Sequence, residues 1–418
     1  FMMKESPSKA SSFHYAWLIL LMAFMTVFAS LGLARFGYSV LLPAMQENLG
    51  LDQTETGLLV SANLGGYLFF SAVGGALATR YGPRIVISFG LALCGLGMWM
   101  TGMVSDPGWA TFWCGVTGIG SGASNLPVMG LLSLWFASRK RGMSAGIAVS
   151  GSSLGLVLVG MLVPELLEMF EKEGWRTCWL VFGVLCLLLS LAALLLLRDH
   201  PDEKSLKPCG SLPAEIPTAV PGNTSRISWN LIYRSPKVWH LGVIYVAFGF
   251  SYIIYLSFFV VYLIREQDYL HDEASLLFML IGWVSLFCGV IWGSVSDRIG
   301  RSRSLFLVYL LQSVAYALFW LSETPSGFFM SALIFGFTAW SIPAIMAAAC
   351  GDVLEPHMAS AALGFITLFF GIGQSLGPLL AGWMADYFLS YGPGFLAAAT
   401  VSLAGAIGSL FLKIQTSP

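Results

Sequence analysis

Residues 292–303 read Trp-Gly-Ser-Val-Ser-Asp-Arg-Ile-Gly-Arg-Ser-Arg, a polar punctuation of three arginines and one aspartate between two long apolar runs. An earlier stretch, Gly-Gly-Ala-Leu-Ala-Thr-Arg-Tyr-Gly-Pro-Arg at 74–84, has the same outline after an earlier apolar run. Gly75, Gly82, Gly146 and Gly155 fall on Gly293, Gly300, Gly364 and Gly373 at one constant offset of 218 residues. Self-similarity at a fixed offset marks a duplicated unit. The chain therefore reads as two related halves.

Composition says what solvent those halves meet. Of the 418 residues 57% are hydrophobic and only 10% charged, with a mean hydropathy of +0.78. Soluble domains carry roughly 25% charged residues, so this is a membrane protein. A spanning helix needs about 20 mostly apolar residues. Twelve such segments are predicted, at about 15–43, 54–79, 85–104, 109–136, 142–167, 176–197, 238–264, 272–297, 304–322, 326–350, 358–385 and 393–413. They group as an N-terminal six-helix bundle (15–197) and a C-terminal one (238–413). A Pro-, Ser- and Lys-rich linker (198–237) joins them, and short tails (1–14 and 414–418) flank them. The first apolar segment is too long for a signal-peptide core and reads as a retained span.

With the N-terminus placed in the cytoplasm, 17 of the 21 Lys and Arg residues lie on cytoplasmic segments, the exceptions being Arg35, Lys172, Arg176 and Arg265. The positive-inside rule then puts both termini and the linker in the cytoplasm of a cell (inner) membrane. A net charge of -1 gives no basis for a nucleic-acid partner. Of the seven cysteines, six lie in apolar runs and none forms a CxxC or Cys/His cluster, so they are read as packing residues. No nucleophile–base pair, metal cluster or phosphate-binding loop is visible, so the chain is not read as an enzyme and no cofactor is expected.

A parallel repeat of six helices is the arrangement of one transporter class with its site between the halves. Here the chain resembles the major facilitator superfamily over essentially its full length. The second copy, Gly293-Ser-Val-Ser-Asp297-Arg298-Ile-Gly300-Arg301, carries that family's G-x-x-x-D-R-x-G-R/K signature. The first copy, Gly75 to Arg84 with Arg80 and Gly82, has Thr79 in place of the aspartate. The resemblance implies a gating latch at these residues. An aspartate can accept hydrogen bonds from the positive N-terminus of a neighbouring helix, so Asp297 is expected to hold the helix beginning near Gly142, with Thr79 a weaker counterpart. A narrower likeness, in residues 134–155 and around Arg35, points to the branch of monocarboxylate and oxalate/formate carriers. In the monocarboxylate carriers a basic residue sits in the first helix roughly where Arg35 sits. The eighth and eleventh segments lack the intramembrane Arg and Lys of those relatives.

Arg35 is the only charged residue between Lys9 and Glu47. Intramembrane ionisable residues default to functional, since a charge at the bilayer centre costs at least ~2.5–3.5 kcal/mol. Arg35 is read either as a carboxylate ligand through its planar fork or as a gate or snorkelling residue near a helix end at Pro43. On a regular helix Phe28, Leu31, Tyr38 and Leu42 would share its face. Tyr252 and Tyr255, in an aromatic stripe at helical spacing on the seventh segment, are candidate substrate contacts. So are Asn63 and Tyr67, four apart on the second. Asn125 and Gln374, in glycine-rich segments, are candidates for substrate contact or for interhelical hydrogen bonding. No histidine lies mid-span.

The leading function is a monomeric secondary transporter moving a small monocarboxylate-like anion by alternating access, with a proton or a counter-anion as the co-transported partner. Efflux of amphipathic compounds and a non-transporting receptor are the alternatives. The topology has a direct test. A cysteine placed at Ser205 should react with an impermeant maleimide only after permeabilisation; labelling in intact cells would invert the assignment.

Overall fold

The computed structural model describes residues 14–210, 229–353 and 359–412. Within these, Gly75 and the side chains of Thr79 and Asp297 also lie outside the description, as does the start of the fifth span at Ser138, Arg139, Arg141 and Gly142. Among the described residues the elements are helical and form the expected twelve spans. They are Ala16–Leu49, Gln53–Tyr81, Pro83–Met103, Pro107–Trp135, Ser138–Phe170, Gly174–Leu196, Pro236–Glu266, His271–Ile299, Arg301–Leu321, Pro325–Val353, Ala359–Phe388 and Gly392–Leu410. Among the described residues nine of these are long and apolar enough to cross a membrane. The second and fourth are diluted by glycine, serine and threonine, and the eighth is broken between Ser285 and Cys288.

The duplication is written into the packing. In the first half, span 1 packs on span 5, 2 on 4, and 3 on 6. In the second half, span 7 packs on 11, 8 on 10, and 9 on 12. The halves meet through two equivalent pairs, span 2 on 11 and span 5 on 8, and through the tip of span 1 on span 7. The repeated turn is the same in both copies: Gly82 has φ 87° and ψ 141°, Gly300 φ 91° and ψ 153°. A side chain in that backbone region is strained, so only glycine reverses the chain there cheaply. Large side chains such as Phe89 (60% exposed) and Leu188 (60%) coat the outside, as a lipid-facing surface requires.

Two expected boundaries shift. Span 1 continues through Pro43 to Leu49, and Gly50 at φ 65° ends it. A proline inside a transmembrane helix is tolerated when its surroundings re-satisfy the freed backbone. Arg35 therefore lies fourteen residues from the helix end, or roughly 21 Å at 1.5 Å per residue. Its guanidinium turns inward, to the Tyr252 hydroxyl of the other half. The linker is shorter than 198–237: a helical turn spans Trp229–Arg234, and span 7 starts at Pro236. Its first part docks on the N-terminal half, with Cys209 N donating to Trp135 O at 2.8 Å and Ala137 N to Cys209 O at 3.1 Å.

Distal denotes the end opposite the chain termini. There a carboxylate of the second half meets a helix N-terminus of the first. Asp386, at the end of span 11, accepts from the backbone N of Gln53 (2.9 Å) and Thr54 (2.7 Å) and from the Thr54 hydroxyl. Those are the first N–H groups of span 2, while its own cap Asp52 takes Glu55 N at 2.6 Å. Tyr391 donates to Gln53 Oε1 at 2.9 Å beside them, and Arg265 to Pro43 O at 3.5 Å. The pseudo-symmetric position of Asp386 is Glu168, which is exposed. At the terminal end a Cβ built on Gly146, Gly293 or Gly364 would meet nothing within 4 Å.

Asp386 thus caps a helix of the other half, a charge–dipole contact worth about 0.3–1 kcal/mol and up to ~2 when partly buried. We expect Asp386→Asn to raise the distally open population severalfold. Pulsed electron resonance between labels at Glu47→Cys and Leu389→Cys reads it as a longer-distance component. An unchanged distance distribution would remove Asp386 from the seal.

Candidate functional site

Span 1 is not a regular helix where Arg35 sits. Residues Phe28–Phe36 form a nine-residue π-helix, with i→i+5 bonding. Two glycines allow it to lie against span 5: a Cβ on Gly32 would come within 2.7 Å of Gly155 Cα. Asn63 donates to Ala34 O at 3.4 Å and to Cys114 O at 3.2 Å, tying this segment to spans 2 and 4. The widened turn changes which residues share a face. Tyr38, expected beside Arg35, instead packs on Trp179 at 4.4 Å inside the first half.

Arg35 joins the halves. Its Nη1 donates to the Tyr252 hydroxyl at 3.2 Å, and its Cζ lies 4.4 Å from the ring centroid of Tyr67. From there a chain of side chains runs in both directions. Asn125 Nδ2 donates to the Tyr67 hydroxyl at 3.1 Å, and Gln374 Nε2 donates to the Tyr252 hydroxyl. Spans 4, 2, 1, 7 and 11 each contribute one member, so Arg35, Tyr67, Asn125, Tyr252 and Gln374 form one group.

That group has unspent capacity. Nε and Nη2 of Arg35, Oδ1 of Asn125 and Oε1 of Gln374 are buried and without a hydrogen-bond partner. Among the described ion pairs none involves Arg35. A buried cation without a counter-charge costs several kcal/mol. The cation–π contact with Tyr67, at about 0.5–2 kcal/mol, and one hydrogen bond to a neutral hydroxyl offset only part of that.

Aromatic walls enclose the group. Tyr252 stacks on Phe248 at 4.7 Å and on Phe370 at 5.7 Å, and Trp340 meets its edge at 6.2 Å. Trp340 also lies 5.7 Å from Phe36 and donates to Ser153 Oγ at 3.1 Å, a second bridge between halves. Ser153 also takes a bond from Ser285 at 3.0 Å. Phe370 and Ser153 had no sequence signal beyond their place in apolar and small-residue runs.

Two candidates stand apart. Tyr255 bonds Ser331 Oγ at 2.7 Å and packs with Tyr316 and Phe335 inside the second half. Asn63 spends its amide on the carbonyls named above, which makes it a support of the π segment. Of the expected gating residues, Gly82 and Gly300 make the repeated turns. Arg84 donates its backbone N to Asp199 (2.7 Å) and its Nε to Leu194 O (2.7 Å). Arg301 pairs with Asp352 at 2.7 Å. Arg80 and Arg298 are exposed. Gly75 and the Asp297 carboxylate lie outside the described residues. Among the described residues no cluster of His, Cys, Asp and Glu could hold a metal.

Comparison with known proteins agrees with this architecture. The chain is 24% identical over 401 residues to a protein described as a probable sulfoacetate transporter of Cupriavidus necator, covering 91% of this chain and 90% of the relative. It is 23% identical over 383 residues to the hexuronate transporter of Bacillus subtilis, covering 89% and 88%. Its fold matches that of a bacterial homologue of the human lysosomal transporter Spinster with a TM-score of 0.73. That likeness covers 96% of this chain and 95% of the other at 16% identity. The family model of the Major Facilitator Superfamily matches residues 17–271 and 267–418. With two six-helix halves, twin glycine turns and a polar group between the halves, the chain is a transporter that belongs to the Major Facilitator Superfamily.

Proposed function

We propose that this protein carries a small organic anion with a carboxylate group, held on Arg35, and that alternating access moves it across the membrane. The observation that carries this reading is the free Nε/Nη2 edge of the guanidinium, buried and unpaired between the halves. Those two N–H groups point in parallel, as the two oxygens of a carboxylate need for bidentate pairing. Nη1 is already spent on Tyr252, so the ligand is offered one edge in one orientation.

Two further facts support an anion. The named relatives are described as transporters of sulfoacetate and hexuronate, both anions. Arg35 also lies toward the side that the positive-inside pattern otherwise leaves poor in Lys and Arg. With the termini cytoplasmic, the Asp386 seal faces outward and ligand exchange occurs on the cytoplasmic side in this conformation. A proton or a second anion is the partner that drives net movement.

Calorimetry with the purified full chain tests the reading. Arg35→Gln leaves a bound carboxylate without a counter-charge, at a cost of several kcal/mol. We therefore expect at least a hundredfold loss of affinity for small carboxylates, with the melting temperature retained. Arg35→Lys keeps the charge but loses the fork and should keep part of the affinity. Equal binding by wild type and Arg35→Gln would make Arg35 a structural residue.

A further inference from the structure

Two features of the site remain unused once a carboxylate occupies Arg35. Asn125 (9% exposed) and Gln374 (0%) each spend one end of their amide on a tyrosine hydroxyl and leave the other end buried and unpaired. The two free ends lie on opposite halves, on spans 4 and 11. Each is one tyrosine removed from the guanidinium, Asn125 through Tyr67 and Gln374 through Tyr252.

Leaving a buried polar group unpaired costs more than a made hydrogen bond returns. A ligand that pairs only with Arg35 would seal both amide ends in that condition. The aromatic walls offer nothing to pair them: Phe36, Phe248 and Phe370 have no polar atom, and the Trp340 N–H is taken by Ser153. A ligand that brings polar groups of its own supplies the missing partners. A hydroxyl suits the position best because it both donates and accepts. It satisfies an amide whichever of its two ends, C=O or NH2, faces the ligand.

We infer that the ligand of this site is a small hydroxy acid, with its carboxylate on the Nε/Nη2 edge of Arg35 and its hydroxyls on the free amide ends of Asn125 and Gln374. This rests on the anion reading above and narrows it, because a plain short-chain acid would leave both amides unpaired. The aromatic faces then cover the ligand's carbon skeleton. A ligand of this kind contacts both halves at once, through Asn125 on one side and Gln374 on the other.

The test is calorimetric titration of the full chain with carboxylates of equal carbon count and rising hydroxylation: propionate, lactate and glycerate. Each hydroxyl that finds a buried partner should tighten binding roughly three- to tenfold, so glycerate should exceed propionate by about ten- to a hundredfold. Asn125→Leu and Gln374→Leu should each shrink that glycerate-to-propionate ratio, whatever they do to propionate binding itself. The wild-type series decides the matter even if a variant fails to fold. Equal affinity across the three acids would overturn the hydroxy-acid inference and leave the anion reading standing. Binding by none of these acids, nor by four- and six-carbon hydroxylated ones, would overturn both.

Discussion

A guanidinium held near the middle of a membrane span, with one edge bonded and one edge free, is the constraint on which this molecule turns. Arg35 lies roughly 21 Å inside the end of its helix, and its guanidinium turns inward to Tyr67 and Tyr252. It must be accommodated where it lies. Accommodation comes from both halves at once: a ring face from Tyr67 and a hydroxyl from Tyr252. Neither is an anion. Its surroundings therefore stabilise the cation only in part, and what remains is binding energy available to a negatively charged ligand.

The scaffold is arranged to hold that residue in place. The π turn at Phe28–Phe36 costs regular hydrogen bonding, and such turns occur frequently at functional sites. Here its neighbours compensate it: Asn63 binds the Ala34 carbonyl, Ser121 donates to Ser30 O, and Gly155 lets span 5 touch the backbone at Gly32. The second half is built on the same repeat but lacks such a π segment at the matching helix. Its span 7 is a continuous α-helix from Pro236 to Glu266 with Tyr252 inside it. One repeat thus supplies the π-wound, charged element and the other the regular, aromatic one.

The fold was legible in the sequence because each of its signals is local or repeats exactly in register. Apolar runs of about 20 residues, the glycine turns at 82 and 300 and the basic asymmetry need no knowledge of neighbours. Arg35 was legible for the same reason: a charge in an apolar run stands out whatever surrounds it. Asn125, Gln374, Tyr67 and Tyr252 could be picked as polar groups in spans, but not joined, since the bonds that join them connect residues 58, 122 and 217 positions apart. Tyr255 shares Tyr252's helix yet lies three residues on, and that rotation is enough to turn it into its own bundle. Tyr38 was misassigned because spacing assumes an α-helix and cannot register a π turn. Pro43 reads as a stop by the behaviour of proline in soluble helices, which carries less weight in a membrane span, and the helix runs through it. Asp386 gave no signal either, as a carboxylate at a helix end reads as ordinary until the span 2 N-terminus is placed beside it.

Gate and site bear on each other through the same pair of helices. Span 11 carries Gln374 at the centre and Asp386 at the distal end, and span 2 carries Tyr67 at the centre and the capped N-terminus at the distal end. The two spans pack together from Gly57 against Pro378 to Leu68 against Gly371. A rotation that separates Asp386 from Gln53 and Thr54 therefore also moves Gln374 relative to Tyr67. A ligand can shift an equilibrium between two conformations only as far as its affinity for them differs. A ligand bound to Arg35 alone would follow span 1 in any rotation and feel little difference. One bound to Arg35 and Gln374 together spans the moving interface, and its contacts must change when the distal seal opens. A second contact on the half opposite the charge would thus couple occupancy to the state of the gate.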